Sequence, residues 1–180
     1  MKKTSYIAFG GIMAALSLVC LMLTVFPYAT FALPALAGLF LIPVIMEYGV
    51  RYGAMVFVAI AILALLITPD MEAKTLYVAF FGYYPLLKNL AERSRYPAVE
   101  WTLKLGVFNA AIVAAYLWLS QLGLSLDEFA IPGVDLPLQV ILALFLFAGN
   151  AVFILYDVGL TRIITAYDRV LRPKLRRFLK

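Results

Sequence analysis

The residues best suited to chemistry in this sequence are a few polar side chains set in very apolar segments. Gln139, Asn150 and Asp157 interrupt an apolar run that extends over residues 136–164. At about 100° per residue, an α-helix brings all three side chains to within about 20° of one another. Polar side chains inside a membrane turn toward the protein interior or toward a wet cavity. The run therefore predicts a membrane-spanning helix with one inward polar face.

Two other apolar segments carry similar polar stripes. Tyr77 and Tyr84 are seven residues apart, as are Asn109 and Tyr116, so each pair is predicted to share a helix face. Hydroxyl, amide and aromatic groups on apolar walls suit an uncharged or zwitterionic, partly aromatic small molecule. The candidate substrate-binding residues are Tyr77, Phe81, Tyr84, Asn109, Tyr116, Ser120, Gln139 and Asn150. The alternative is interhelical hydrogen bonding, worth about 0.6 kcal/mol per bond on average, and it fits Asn109 and Asn150 best.

One pair of opposite charges lies inside the apolar segments. Lys104 and Asp157 fall near the same end of neighbouring predicted helices. A carboxylate–ammonium pair there would avoid leaving either charge unpaired in a medium of low dielectric constant. Proton coupling is the alternative, but no histidine and no second buried acid continues a relay. The sequence therefore favours a structural ion pair.

Several kinds of chemistry lack their usual residues here. The chain has no histidine, so it lacks the commonest metal ligand and general base, and it has a single cysteine, Cys20. It contains no phosphate-binding loop, no H-E-x-x-H motif and no G-x-S-x-G motif. We expect no enzymatic activity, no metal and no cofactor, so any transport against a gradient would have to be energised by a partner.

The composition is that of a membrane protein. Of 180 residues, 65% are hydrophobic and 14% are charged, and the mean hydropathy is +0.98, whereas soluble domains are about 45–50% apolar and about 25% charged. The six predicted spans are residues 6–26, 30–46, 52–68, 75–90, 101–121 and 136–164. Only the second, with Pro34 and Pro43, is expected to be broken, which disfavours the paired broken helices of inverted-repeat transporters. The prediction is an all-α polytopic membrane protein, a six-helix transmembrane bundle.

Basic residues give the orientation and set apart a tail. With six spans both termini share a side, and fourteen of the fifteen Lys and Arg residues fall on it, with Lys74 alone opposite. The positive-inside rule then places both termini in the cytoplasm of a plasma-membrane protein. Residues 1–165 form the predicted transmembrane domain and 166–180 a basic amphipathic cytoplasmic helix, held by anionic membrane lipids. Nucleic acid is not expected as a partner, because this charge begins directly at the membrane.

Small residues line the first predicted helix. Gly10 and Ala14, and likewise Gly11 and Ala15, are four residues apart, a spacing that lets two membrane helices approach closely. Packing within the chain explains most such patterns. The alternative is a docking face for another membrane subunit.

The pattern as a whole resembles the substrate-binding S components of energy-coupling factor (ECF) transporters. The resemblance rests on six short spans, cytoplasmic termini, the absence of an ATPase motif and the segment 11–16, which reads GIMAAL. It implies that Gly10, Gly11, Ala14 and Ala15 dock a transmembrane coupling subunit, and that two ATPases drive uptake. It also implies a vitamin-like substrate, bound near the outer face by the last three helices. The alternative is a non-catalytic scaffold similar to the MreD-type envelope-morphogenesis proteins, which residues 82–84, reading GYY before a basic loop, would also fit.

Overall fold

All regular structure that the computed structural model describes is helical. It describes residues 3–26, 29–121 and 138–174. The helices are α1 (Lys3–Met22), α2 (Ala32–Leu39), α3 (Leu41–Tyr48), α4 (Val50–Ile67), α5 (Met71–Leu76), α6 (Tyr84–Ala91), α7 (Pro97–Gln121) and α8 (Leu138–Ala166). A 3-10 turn, Leu23–Val25, extends α1, and π-helical turns, Tyr77–Phe81 and Tyr167–Leu171, extend α5 and α8. The predicted all-α class is confirmed.

Four helical stretches are long and apolar enough to cross a membrane. Within the described ranges they are Ser5–Val25, Val50–Ile67, Pro97–Trp118 and Ala143–Lys174, and Ala32–Tyr48 is a shorter apolar stretch. Less than a third of each long stretch is buried inside the protein. Large apolar side chains such as Leu66 and Phe147 are 76% and 78% exposed, which water would penalise and lipid tails would not. These helices therefore contact lipid.

Two of the predicted spans are broken near their middles. Residue Phe40 separates α2 from α3, and Gly82 and Tyr83 separate the π turn of α5 from α6. The expectation that only the second span is broken is therefore wrong. The break in the fourth span is caused by Pro85. Proline has no N–H to donate to the carbonyl group four residues earlier, so it cannot continue the preceding helix.

The first half of the chain packs around one apolar cluster shared by α1 to α4. Its fully buried members include Leu21, Leu41 and Ile60. Gly49 joins α3 to α4 with φ +89°, a left-handed conformation that would strain a residue with a Cβ. Because glycine has no Cβ, the chain can reverse direction there at little cost. This arrangement gives α1 one face against the protein and another that is open.

A second cluster, rich in aromatic rings, joins the π turn of α5 to α7 and α8. Phe108 and Phe153 stack with centroids 4.5 Å apart and an interplanar angle of 13°. Phe80 meets both rings edge-on, at 5.1 and 5.7 Å. Offset and edge-to-face geometries are the favourable ones for aromatic pairs. The cluster holds α7 and α8 against α6, where the charged residues lie.

The last described segment does not turn away from α8. Helical conformation continues through the π turn to Lys174, so the predicted boundary between residues 165 and 166 lies inside a continuous helix. Arg172 binds Glu47 at 3.0 Å and the Met46 carbonyl at 3.2 Å, which ties this end of the helix to α3. Residues 175–180 of the predicted tail lie outside the described ranges.

Candidate functional site: a buried charge network on α6, α7 and α8

A buried carboxylate, Asp157, is the centre of the most polar site in the described structure. The Tyr84 hydroxyl donates to Asp157 Oδ1 at 2.5 Å, and Lys88 Nζ donates to the same oxygen at 2.6 Å. Lys104 Nζ donates to the other oxygen, Oδ2, at 3.1 Å. The exposed fractions are 4% for Asp157, 0% for Lys88 and 1% for Lys104. Three helices are thus joined by charged hydrogen bonds away from water.

Two more carboxylates close the network at its edge. Glu92 Oε1 lies 2.6 Å from Lys88 Nζ and 3.2 Å from Lys104 Nζ, and so bridges the two lysines. Glu100 Oε1 lies 2.7 Å from Lys104 Nζ. Three carboxylates and two ammonium groups give −3 + 2 = −1 when all are ionised. Glu92 and Glu100 are 38% and 22% exposed, so the excess negative charge has access to solvent.

Simple helical spacing builds this arrangement. Tyr84, Lys88 and Glu92 follow one another at intervals of four, as do Glu100 and Lys104, and residues four apart share a helix face. Lys104 and Asp157, the ion pair predicted from the sequence, are in direct contact. The sequence did not identify Lys88 as their partner. Its position four residues after Tyr84 places both side chains on one helix face, and this spacing could have indicated that they share a contact.

The chemistry open to this network is limited by its own hydrogen bonds. Both Asp157 oxygens and both lysine amino groups are engaged in hydrogen bonds within the network. A buried ion pair costs desolvation, but removing one partner costs about 3–5 kcal/mol because it leaves the other charge uncompensated. The network therefore fixes the positions of α6, α7 and α8 relative to one another.

A second polar contact joins α7 and α8 at a different depth. Asn109 and Asn150 exchange two hydrogen bonds, each 3.0 Å from amide nitrogen to amide oxygen. Each also donates to a backbone carbonyl of its own helix, at Leu105 and Leu146. The two amides satisfy each other. This is the interhelical hydrogen bonding that the sequence offered as the alternative to a substrate-binding role for Asn109 and Asn150.

Tyr77 does not share a face with Tyr84. Its side chain is fully buried and its hydroxyl lies 3.4 Å from that of Ser17 on α1. The cause is the π turn and the break that follows it, since seven residues no longer make two α-helical turns there. Phe81 packs edge-on against Tyr156, with centroids 5.3 Å apart. Tyr77 therefore belongs to the α1 side of the fold and Tyr84 to the α6–α8 side.

The remaining candidates lie toward the ends of α7 and α8. Tyr116 is 41% exposed, and Ser120 is exposed and donates to the Leu117 carbonyl of its own helix at 2.9 Å. Gln139 has its backbone in α8, and its side chain lies outside what the structure describes, as do residues 122–137. The seven candidates whose side chains are described are thus not gathered into one pocket.

The described surface includes two shallow depressions, and neither of these contains a candidate residue. One is lined by Arg169, Val170, Pro173 and Lys174, and the other by Ala98, Val99, Thr102 and Leu103. In the described part of the chain, no group of three or more His, Cys, Asp or Glu side chains could hold a metal ion.

The small residues of α1 separate into two faces. An ideal Cβ on Gly10 would lie 2.6 Å from the Tyr52 hydroxyl, which donates to the Tyr6 carbonyl at 2.7 Å, and Ala14 packs on the first apolar cluster. Gly11 and Ala15 are exposed, and no atom of the described residues lies within 4 Å of a Cβ built on Gly11. Packing within the chain thus uses Gly10 and Ala14 and leaves the other two free.

Long helices with outward apolar side chains and paired charges inside define the class of the protein. It is an all-helical, multi-pass integral membrane protein with four candidate spans of full length. No protein-family model, curated protein or solved structure matches the chain.

Proposed function

We propose that this chain is the substrate-capturing membrane subunit of an ECF-like uptake transporter. In this proposal six spans cross the plasma membrane with both termini in the cytoplasm. The chain binds a small vitamin-like organic molecule from the outer face and is not itself an enzyme. A transmembrane coupling subunit and ATPases supply the energy. The observation that carries the proposal is the exposed Gly11–Ala15 face of α1.

That face is suited to helix docking because it is small and unoccupied. Between helices in lipid there is no hydrophobic drive, so close backbone approach and van der Waals packing decide association. Gly11 and Ala15 permit such approach, and the neighbouring exposed side chains Ile12 and Val19 can pack beside a partner helix. Gly10 and Ala14, about 100° around the helix from that face, would hold α1 against the rest of the chain.

The capture site is assigned to the outer ends of α7 and α8. Tyr84, Asn109 and Asn150 are engaged in bonds within the bundle, and Tyr77 faces α1. In the proposal the ligand contacts are therefore made by Tyr116, Ser120 and Gln139. Exposed hydroxyl groups on an apolar helix end are the kind of polar contact that orients a small organic ligand.

Affinity purification from native membranes tests the docking face. Gly11→Leu and Ala15→Leu should each reduce co-purified ATPase at least tenfold, because a large side chain holds the helices apart. Gly106→Leu is the matched control, since Gly106 is also an exposed helical glycine with nothing within 4 Å of its Cβ. Normal recovery of the ATPase with both α1 variants would overturn the proposal.

A second candidate function is a non-catalytic scaffold of envelope assembly, similar to the MreD type. The observation that favours it is that the polar groups between α6, α7 and α8 bond to one another. Mass spectrometry of small molecules retained by the purified protein separates the two. Capture predicts a retained compound that is lost in Tyr116→Ala and Ser120→Ala, whereas a scaffold predicts no such compound and no ATPase partner.

A further inference from the structure

Two broken helices meet at the places where they are broken. Gly38, at the end of α2, lies directly against the backbone carbonyl oxygen of Phe81, so a Cβ on Gly38 would collide with that oxygen. Phe81 ends the π turn that extends α5, just before the break at Gly82 and Tyr83. Each break lies near the middle of its segment, and the crossing is therefore away from both ends of these two segments.

Proline frees a carbonyl group at each break. Pro43 is four residues after Leu39, the last residue of α2, and Pro85 is four residues after Phe81. Proline has no N–H, so neither carbonyl oxygen can accept the usual helical hydrogen bond from that position. The carboxyl end of a helix also carries a partial negative charge. The end of the π turn thus brings one such oxygen, that of Phe81, to the crossing.

A tyrosine from α8 reaches the same place. The Tyr156 hydroxyl is shielded from solvent and has no hydrogen-bond partner among the described residues, and it lies 3.7 Å from the position of a Cβ on Gly38. Its ring packs on Phe81, with centroids 5.3 Å apart. A buried hydroxyl without a partner is costly, which indicates that some other species completes its coordination.

We propose that this crossing binds a monovalent cation of the size of Na⁺. The Phe81 carbonyl oxygen and the Tyr156 hydroxyl oxygen would be ligands, and water would complete the shell. Hard cations take oxygen ligands, and unwound carbonyls and helix carboxyl ends coordinate Na⁺ in discontinuous membrane helices. The oxygens are neutral, which suits a single positive charge. The nearest carboxylate along α8, Asp157, is occupied by Tyr84, Lys88 and Lys104.

Thermal unfolding of the purified full-length protein in detergent tests this site. The melting temperature is measured in NaCl and in choline chloride at equal ionic strength, with KCl and LiCl as further arms. At about one hundred times the dissociation constant, Na⁺ should raise the melting temperature by about 5–10 °C. Tyr156→Phe should remove this Na⁺-dependent increase.

Tyr48→Phe is the control variant. The Tyr48 hydroxyl is also buried and has no partner in the part of the chain that the structure describes, but it lies in the ring cluster of α1, α3 and α4. It should keep the Na⁺-dependent increase. The proposal is overturned if all four salts act alike, or if Tyr156→Phe keeps the increase. It is also overturned if Tyr156→Phe raises the melting temperature equally in NaCl and choline chloride, because the hydroxyl would then be unliganded in both.

Discussion

Replacing Lys88 by methionine should destabilise the protein more than any exposed lysine replacement. Methionine fills a similar volume but removes the ammonium group that lies 2.6 Å from both Asp157 Oδ1 and Glu92 Oε1. The network then carries three carboxylates and one ammonium, a formal charge of −3 + 1 = −2 in place of −1. Asp157 keeps the Tyr84 hydroxyl and Lys104, which compensate part of the loss.

The magnitude follows from burial and from these surviving bonds. Breaking a buried pair by removing one partner costs about 3–5 kcal/mol. Because Asp157 keeps two donors, we expect the lower end for Lys88→Met, about 3 kcal/mol. For a chain of this size that lowers the melting temperature by about 6–12 °C. The assay is thermal unfolding in detergent, followed by the loss of the monodisperse peak in size-exclusion chromatography.

Two comparisons make the result specific. Lys74→Met is the matched control, because Lys74 is part-buried and, within the described structure, its amino group donates to the neutral Thr68 carbonyl at 3.3 Å. It should cost less than about 1 kcal/mol. The double variant Lys88→Met/Asp157→Leu should be less unstable than the sum of its single variants by about 2–3 kcal/mol. Additive effects, or a Lys88→Met variant as stable as the original protein, would refute the reasoning.

Two further predictions concern the helix contacts. Asn109→Leu or Asn150→Leu alone should cost about 1–3 kcal/mol, because each leaves the opposite amide half-satisfied, whereas the double variant should recover most of this loss; unfolding of all three variants measures it. Gly10→Ala should cost about 1–3 kcal/mol, because its Cβ would meet the Tyr52 hydroxyl, whereas Gly11→Ala, on open surface, should change stability by less than about 1 kcal/mol. Equal effects at Gly10 and Gly11 in the same unfolding assay would contradict the division of α1 into two faces.

Periodicity predicted which residues of a regular helix share a face. Asn150 and Asp157 were placed on one face of α8, and in the structure both side chains bond to residues of α7. The all-helical class and the long apolar stretches also follow from composition, because the bilayer demands apolar side chains over whole segments.

Periodicity did not predict which other helix each helix face contacts. Tyr77 and Tyr84 share an interval of seven, yet one hydroxyl reaches Ser17 and the other reaches Asp157. The π turn between them changes the phase, and such a turn has no simple sequence signature. The position of Lys88 against Asp157 is set by the packing of α6 on α7 and α8, which depends on residues far apart in the sequence.

The charge network and the helix crossing both involve α8 and the break in the fourth segment. Tyr156 and Asp157 are consecutive in α8, so one residue faces the crossing while the next faces the lysines. Phe81 and Tyr84 flank the break in the fourth segment, and the rings of Tyr84 and Tyr156 lie 5.6 Å apart. A ligand at the crossing would fix the conformation of the break, and that conformation aims the Tyr84 hydroxyl at Asp157. Stability at the two places should therefore be coupled, and the Na⁺-dependent increase in melting temperature should be smaller in Lys88→Met than in the unmodified protein.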